Sequence, residues 1–233
     1  MFCYNHETLT RQAVSKLEEA ERDYDVLFVD DGSSDGTAGV LAAVPLTTLI
    51  RHETNRGIGA AIKTAIRHAR SRGYANIVIM AGNDKDDFRE VPRILAPLLD
   101  GTTDYVQGSR FLDGGAFENL PLGRRLLLSV HAVLFTFVTG RKTTDASNGF
   151  RAYRLSLFDD PKINIDQDWL DRYELETYIH LQVHWLGYRV KEVAVSKTYP
   201  PKKTGLKYSH IRPIIDWWSI LRPILLLALR IRR

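Results

Sequence analysis

The chain has 233 residues, 44% hydrophobic and 26% charged, with a formal net charge of +4. That balance excludes a disordered or fibrous chain and leaves length for one large core. A single cysteine, Cys3, excludes an intrachain disulfide and a cysteine-based zinc cluster, and the mild positive charge suits an anionic ligand or a membrane surface, with no nucleic-acid partner expected.

No apolar run of signal-peptide type opens the chain. Phe2 to Tyr4 reads as the end of a strand with almost nothing before it, so a clipped first strand is expected. Thr8 or Thr10 is placed to cap a helix running to about Arg22, with Ala13, Val14, Leu17 and Ala20 along one side. Tyr24 to Val29 reads as a strand delivering Asp30 and Asp31 into a turn of Gly32, Ser33, Ser34, Asp35, Gly36 and Thr37, where a polar ligand can be held. A helix begins near Asp35 to Thr37, and Leu46 to Ile50 is a further short apolar run.

Asn55-Arg56-Gly57-Ile58-Gly59-Ala60-Ala61 leads into a helix reaching about Arg72. Its glycines let backbone approach a ligand, and a helix N-terminus attracts phosphate. The third glycine of the dinucleotide fingerprint is missing, which weakens the alternative of a nicotinamide-dependent oxidoreductase. Ile77 to Ala81 then reads as a buried strand that breaks at Gly82 and delivers Asn83, Asp84, Lys85, Asp86 and Asp87. Three carboxylates at one strand end repel unless solvated, paired or bound to a cation. Val91 to Leu99 reads as a short helix and Tyr105 to Arg110 as a strand ending on an arginine.

Strands alternating with helices predict an α/β domain with a mostly parallel sheet flanked by helices, and such a sheet gathers its strand ends on one rim. Beyond Arg110 the pattern changes. Leu112 to Pro121 reads as a loop, and Leu126 to Val138 as a buried or interfacial helix, too short for the ~20 residues a bilayer crossing needs. His131 on it reads as a satisfied core or surface histidine rather than a ligand. A polar turn from Asp145 enters a short strand by Arg154, Asp171 to Trp185 reads as a helix with Glu174 and Glu176 at its dipole-complementing start, and Tyr188 to Val195 as a strand. Residues 1–210 form the expected domain. Residues 211–233, with Trp217, Trp218, Pro213, Pro223 and the closing Arg230-Ile231-Arg232-Arg233, are expected to lie at an anionic membrane surface; packing on the domain or in a homo-oligomer interface is the alternative.

These motifs, in this order, resemble family 2 glycosyltransferases of the GT-A fold, near the dolichol-phosphate mannosyltransferase-like branch. The resemblance is carried by Val29-Asp30-Asp31-Gly32-Ser33-Ser34-Asp35-Gly36-Thr37, the Asn55 to Ala61 loop, Gly108-Ser109-Arg110-Phe111, Asp145-Ala146-Ser147-Asn148-Gly149-Phe150-Arg151, and Gly187 to Val193. Cys3-Tyr4-Asn5 resembles the end of the family's first strand.

The resemblance implies an inverting transfer from a nucleotide-diphosphate sugar to a polyprenyl phosphate or cell-surface glycan, at the cytoplasmic membrane face. It places Asp30 and Asp31 on the nucleoside with Tyr4, Asn5 and Glu7 nearby, and Arg56, Lys63 and Arg110 among the donor-binding groups. Lys203, Lys207 and Arg151 would hold phosphates of donor or acceptor. A hydroxyl acceptor needs a base, for which Asp145 comes first and Glu174 and Glu176 follow; a phosphate acceptor is already ionised.

The family's Asp-x-Asp, which grips Mg2+ or Mn2+, falls here on Ala81-Gly82-Asn83. Two readings stay open. Either Lys85, with Asn83, supplies part of the charge a metal would supply, or a shifted set drawn from Asp84, Asp86 and Asp87 still holds the ion. The altered motif and the clipped strand also leave room for a degenerate transferase that binds nucleotide sugar or a partner without turnover.

Overall fold

The computed structural model describes residues 1–18, 22–201, 204–205 and 215–229. Lys203 and Lys207, and residues 211–214 and 230–233 of the closing segment, lie outside the described residues.

Three strands, β1 (Phe2–Cys3), β2 (Val26–Asp30) and β3 (Thr47–Arg51), pair in parallel in the order β1-β2-β3. Four more, β4 (Asn76–Ile79), β5 (Tyr105–Ser109), β7 (Arg151–Arg154) and β8 (Val190–Ala194), run β4-β7-β5-β8, with β7 antiparallel to both neighbours. Phe2 bridges to Ala81 and joins the two sheets: its N–H donates to Met80 O at 3.2 Å, and Gly82 N–H donates to Phe2 O at 2.8 Å. The parallel sheet expected from sequence is therefore interrupted by one reversed strand. Below the short first strand a cavity of about 330 Å3 opens between β2 and β4, lined by Leu27, Ile77 and Ile79 among others.

Helices cover the sheet because each presents an apolar face to it. In α1 (Glu7–Glu18) that face is Leu9, Ala13, Val14 and Leu17. Thr10, expected as a cap, is instead fully buried inside this helix and donates its hydroxyl to Gly82 O at 2.9 Å. After α2 (Thr37–Ala42), α3 (Ile58–Ser71) buries Ala61, Ile62, Ala65 and Ile66 in the core, and α4 (Val91–Leu99) buries Val91, Ile94 and Leu98. Gly59 of α3 lies so close to the 168–172 segment that a Cβ there would come 2.0 Å from Leu170 O, which welds the two halves of the chain.

The expected loop over 112–121 holds a strand, β6 (Ala116–Glu118), paired in parallel with β9 (Ser196–Thr198). The apolar helix is longer than expected: α5 (Leu122–Thr139) ends at Gly140, whose φ of 67° supplies the left-handed stop. At 18 residues with mean hydropathy 1.3, α5 is long and apolar enough to cross a membrane by length and composition. One side of it buries Leu128, His131, Ala132 and Phe135 against the domain, while Leu122, Leu126, Val130, Val133 and Phe137 are exposed. It neighbours α6 (Glu174–Trp185) and α7 (Ile215–Ala228), and α7 also packs on α6.

Candidate active site

The rim where β1, β2 and β4 end holds a cavity of about 280 Å3. Its wall includes Tyr4, Asp31, Asn83, Lys85, Arg110 and Glu176 from the expected set. Arg124 and Leu128 of α5, and Ile220 of α7, close its far side.

Asp30 and Asp31 sit at the end of β2 because Val26 to Val29 bury as a strand and Gly32, at φ 75°, turns the chain sharply. Both are buried and engaged. Asp30 accepts from Ser33 and pairs with Arg51 at 3.1 Å. Asp31 accepts from His52 Nδ1 at 2.7 Å, Asn55 Nδ2 at 2.9 Å, and the backbone N–H groups of Arg56 and Gly57 at 3.0 and 2.8 Å. The Asn55 to Gly57 loop is thus held by one carboxylate. Asn5, at φ 47°, accepts from Ser34 N–H at 2.8 Å and so ties the first strand to the same turn. Glu7 lies in the first turn of α1, paired with Arg11 at 3.2 Å, and Arg56 is exposed outside the cavity wall.

Lys63 does not reach the cavity. Its ammonium is buried and spans α3 to the second half, donating to Asp171 Oδ1 at 2.6 Å and Gln167 O at 2.8 Å. Helical spacing turned it inward, away from the loop that suggested a phosphate role.

Asp145 is committed to Arg110. The guanidinium donates from Nε to Oδ2 at 2.6 Å and from Nη2 to Oδ1 at 2.7 Å, with the two side chains only 1% and 3% exposed. Burial would raise the carboxyl; the Arg110 charge and its hydrogen bonds outweigh that and hold Asp145 below the usual carboxylate range. Such a group is a poor proton acceptor. Glu174 is bound to Arg222 of α7 at 2.6 Å, outside the cavity wall, and burial raises its carboxyl. Of the three base candidates only Glu176 lines the cavity. Arg151, 1% exposed, spends its donors on the carbonyl oxygens of Ala146, Asn148 and Glu176, which fold the Asp145 to Phe150 turn around it.

The acidic run disperses. Asp84, at φ 56°, pairs with Lys16 of α1 at 2.7 Å. Asp87 accepts from Arg89 N–H at 2.9 Å and pairs with its guanidinium at 2.6 Å. Asp86 faces the cavity, where the buried Lys197 ammonium bonds both to it and to Asn148 Oδ1, the latter at 2.7 Å. Among the described residues no three His, Cys, Asp or Glu side chains cluster as a metal site. The donor set does not fit a hard divalent ion, which wants several oxygens with carboxylates among them.

Cations gather instead around Tyr199, which sequence reasoning passed over. Lys85 Nζ stands 5.7 Å and Arg124 Cζ 5.5 Å from its ring centroid, and Arg110 donates to its hydroxyl. Burial, and after it the charges of Lys197 and Arg124, lower the Lys85 ammonium well below its usual value. A sequence signal for two of these residues existed: Val193, Val195, Lys197 and Tyr199 alternate and are all buried, so a strand face carries Lys197 and Tyr199 inward.

A mixed α/β sheet with a polar cavity at its strand ends is the architecture of the GT-A glycosyltransferases. Residues 1–160 match the family described as Glycosyl transferase family 2, and the chain belongs to that family and is a glycosyltransferase. It is 30% identical over 197 residues to an undecaprenyl-phosphate mannosyltransferase of Micrococcus luteus, covering 83% of this chain and 79% of that one. It is 35% identical over 158 residues to a polyprenol monophosphomannose synthase of Mycolicibacterium smegmatis, covering 65% of this chain and 58% of that one. Among solved structures it resembles glucosyl-3-phosphoglycerate synthase from Mycobacterium tuberculosis in complex with Mn2+ and UDP-glucose, with TM-score 0.69 and 16% identity over 100% of this chain and 79% of that one. At that identity the likeness is one of fold.

Proposed function

We propose that the protein transfers a sugar from a nucleoside diphosphate sugar to a polyprenyl phosphate at a membrane surface, inverting the anomeric configuration. One observation carries this reading. The cation-lined cavity is walled by Arg124 and Leu128 of α5, and the outward face of the same helix shows Val130, Val133 and Phe137 to solvent. A lipid phosphate fits that arrangement: its head enters the cavity while its chain follows an apolar helix. The names of the two polyprenol-linked relatives support the same acceptor class. Exposed Trp218 and Leu225 of α7, with Leu229 just past its end, extend the apolar surface, and the net charge of +4 suits the anionic inner face of a cell membrane.

In the reaction, an acceptor phosphate oxygen forms a bond to the sugar's anomeric carbon from the face opposite the donor diphosphate. The bond from that carbon to the β-phosphate oxygen breaks, and its electron pair leaves on that oxygen. No proton has to move, which agrees with Asp145 and Glu174 being held in ion pairs.

The test supplies the purified protein with a panel of nucleoside diphosphate sugars and vesicles carrying polyprenyl phosphate. The expected outcome is a lipid-linked sugar and a stoichiometric amount of free nucleoside diphosphate. Donor binding without product across acceptors would establish the degenerate binding protein instead.

A further inference from the structure

We propose that this transferase stabilises its departing nucleoside diphosphate with built-in cations, Lys85 and Arg124 gathered on Tyr199, rather than with a divalent metal. The proposal rests on the glycosyl-transfer reading above.

Where the family register puts Asp-x-Asp, the cavity wall carries Ala81, Gly82 and Asn83. No carboxylate stands there. The carboxylates that follow are in ion pairs: Asp84 with Lys16, Asp87 with Arg89, and Asp86 with Lys197 through Oδ1, which leaves Asp86 Oδ2 as a single unpartnered oxygen, too few for a hard divalent ion. Lys197 also donates to Asn148 Oδ1, so an ammonium already fills the place beside the cavity where these two side-chain oxygens meet. A hard cation would have to displace it and then sit among Lys85, Arg110 and Arg124, all of which line the same wall.

The same surroundings favour a diphosphate. Tyr199 offers one ring to two cations, Lys85 at 5.7 Å and Arg124 at 5.5 Å, and its hydroxyl to Arg110. The ring holds the charges in place without cancelling them, as a carboxylate would. Arg110 is paired with Asp145, and Lys85 and Arg124 stand beside it on the same cavity wall, so the leaving group meets several donors at once. A lysine brings a compact charge and an arginine a planar fork, and both suit phosphate oxygens. A diphosphate entering the cavity favours the ammonium form of Lys85, which burial and the neighbouring charges otherwise disfavour, and the negative charge arriving on the β-phosphate oxygen as its bond to the anomeric carbon breaks then meets both side chains.

Titration calorimetry with UDP, GDP, ADP, CDP and dTDP tests this, with metal-stripped protein in EDTA compared with the same protein in Mn2+. For whichever diphosphate binds, Kd is expected to change less than about threefold between the two conditions. Lys85→Gln is expected to raise Kd about tenfold, and Lys85→Arg to return it to within about threefold of wild type. Should Lys85→Gln lower the melting temperature, Arg124→Gln on the first turn of α5 carries the same comparison. Binding that needs Mn2+, or that tightens about tenfold with it, overturns the proposal and leaves the transfer reading standing. Unchanged binding in folded Lys85→Gln or Arg124→Gln overturns it likewise. If no diphosphate binds in either condition, the transfer reading falls and the proposal with it.

Discussion

The Arg110 guanidinium takes both oxygens of Asp145, and neither side chain reaches solvent. In that state the pair works as a brace between β5 and the Asp145 to Phe150 turn, with Ser147 Oγ accepting a further Arg110 N–H at 2.9 Å. Removing one partner leaves the other charge buried and alone, so Asp145→Ala is expected to cost ~3–5 kcal/mol in urea denaturation. A residue acting only as a base would lose turnover with stability near wild type. Sequence showed that Asp30, Asp31, the Asn83 to Asp87 run and Arg110 belong to one rim, because strand ends collect there, and placed Asp145 in a polar turn as a base candidate. It could not show that Arg110 and Asp145 neutralise each other, since their separation along the chain says nothing of their distance. The same holds for Asp84, Asp86 and Asp87, which look like one acidic group in sequence and point to three different partners in space.

The contact of α5 with α6 is built around histidines. His180 is fully buried, stacked on Tyr105 with ring centroids 5.0 Å apart and 4.3 Å from the Phe135 ring, and His184 lies 5.1 Å beyond. His131 sits one turn before Phe135 on α5. Burial, and then the Arg151 charge, lower His131 to about 4, only partly offset by Asp145. Burial, and then Arg141, lower His184 to about 4 as well. Burial, then Arg151 and the other two histidines, lower His180 in the same direction.

These rings fold neutral, while the unfolded chain takes up protons from about pH 6.5 downward. The stabilisation they bring is therefore complete above that pH and declines as pH falls, the share of His131 and His184 being lost by about pH 4. His131→Leu keeps the packing and removes one titration. Relative to its own value at neutral pH, it is expected to retain ~2 kcal/mol more stability than wild type at pH 5, measured by urea midpoints. Sequence left His131 as a core or surface histidine; its burial and its partners from α6 came from the tertiary fold alone.

At the scale of the whole molecule, the cavity and the apolar surface share one wall. The outward side chains of α5, with Phe137 85% and Val133 70% exposed, belong to the helix whose inner face lines the cavity. Burying both in a lipid surface is worth enough for at least a tenfold change in partition. Val133→Asp together with Phe137→Asp is expected to reduce co-sedimentation with anionic vesicles about tenfold or more, with the melting temperature unchanged because both positions face outward.

Local pattern determined much of this protein. Apolar runs of strand length, helical spacing and turn residues set the alternation of elements, and their motifs identified the strand-end rim and the family. Those features depend on neighbours along the chain. What only the tertiary structure decided depends on neighbours across it. The reversal of β7 follows from long-range pairing, and the strand pair β6 and β9 joins segments that look like loop and strand end. The inward turn of Lys63 and the assembly of Lys85, Arg110 and Arg124 around Tyr199 follow from packing. Charge in a sequence is a count; in a folded protein it is a set of distances, and those distances set the acidic loop apart from a metal site.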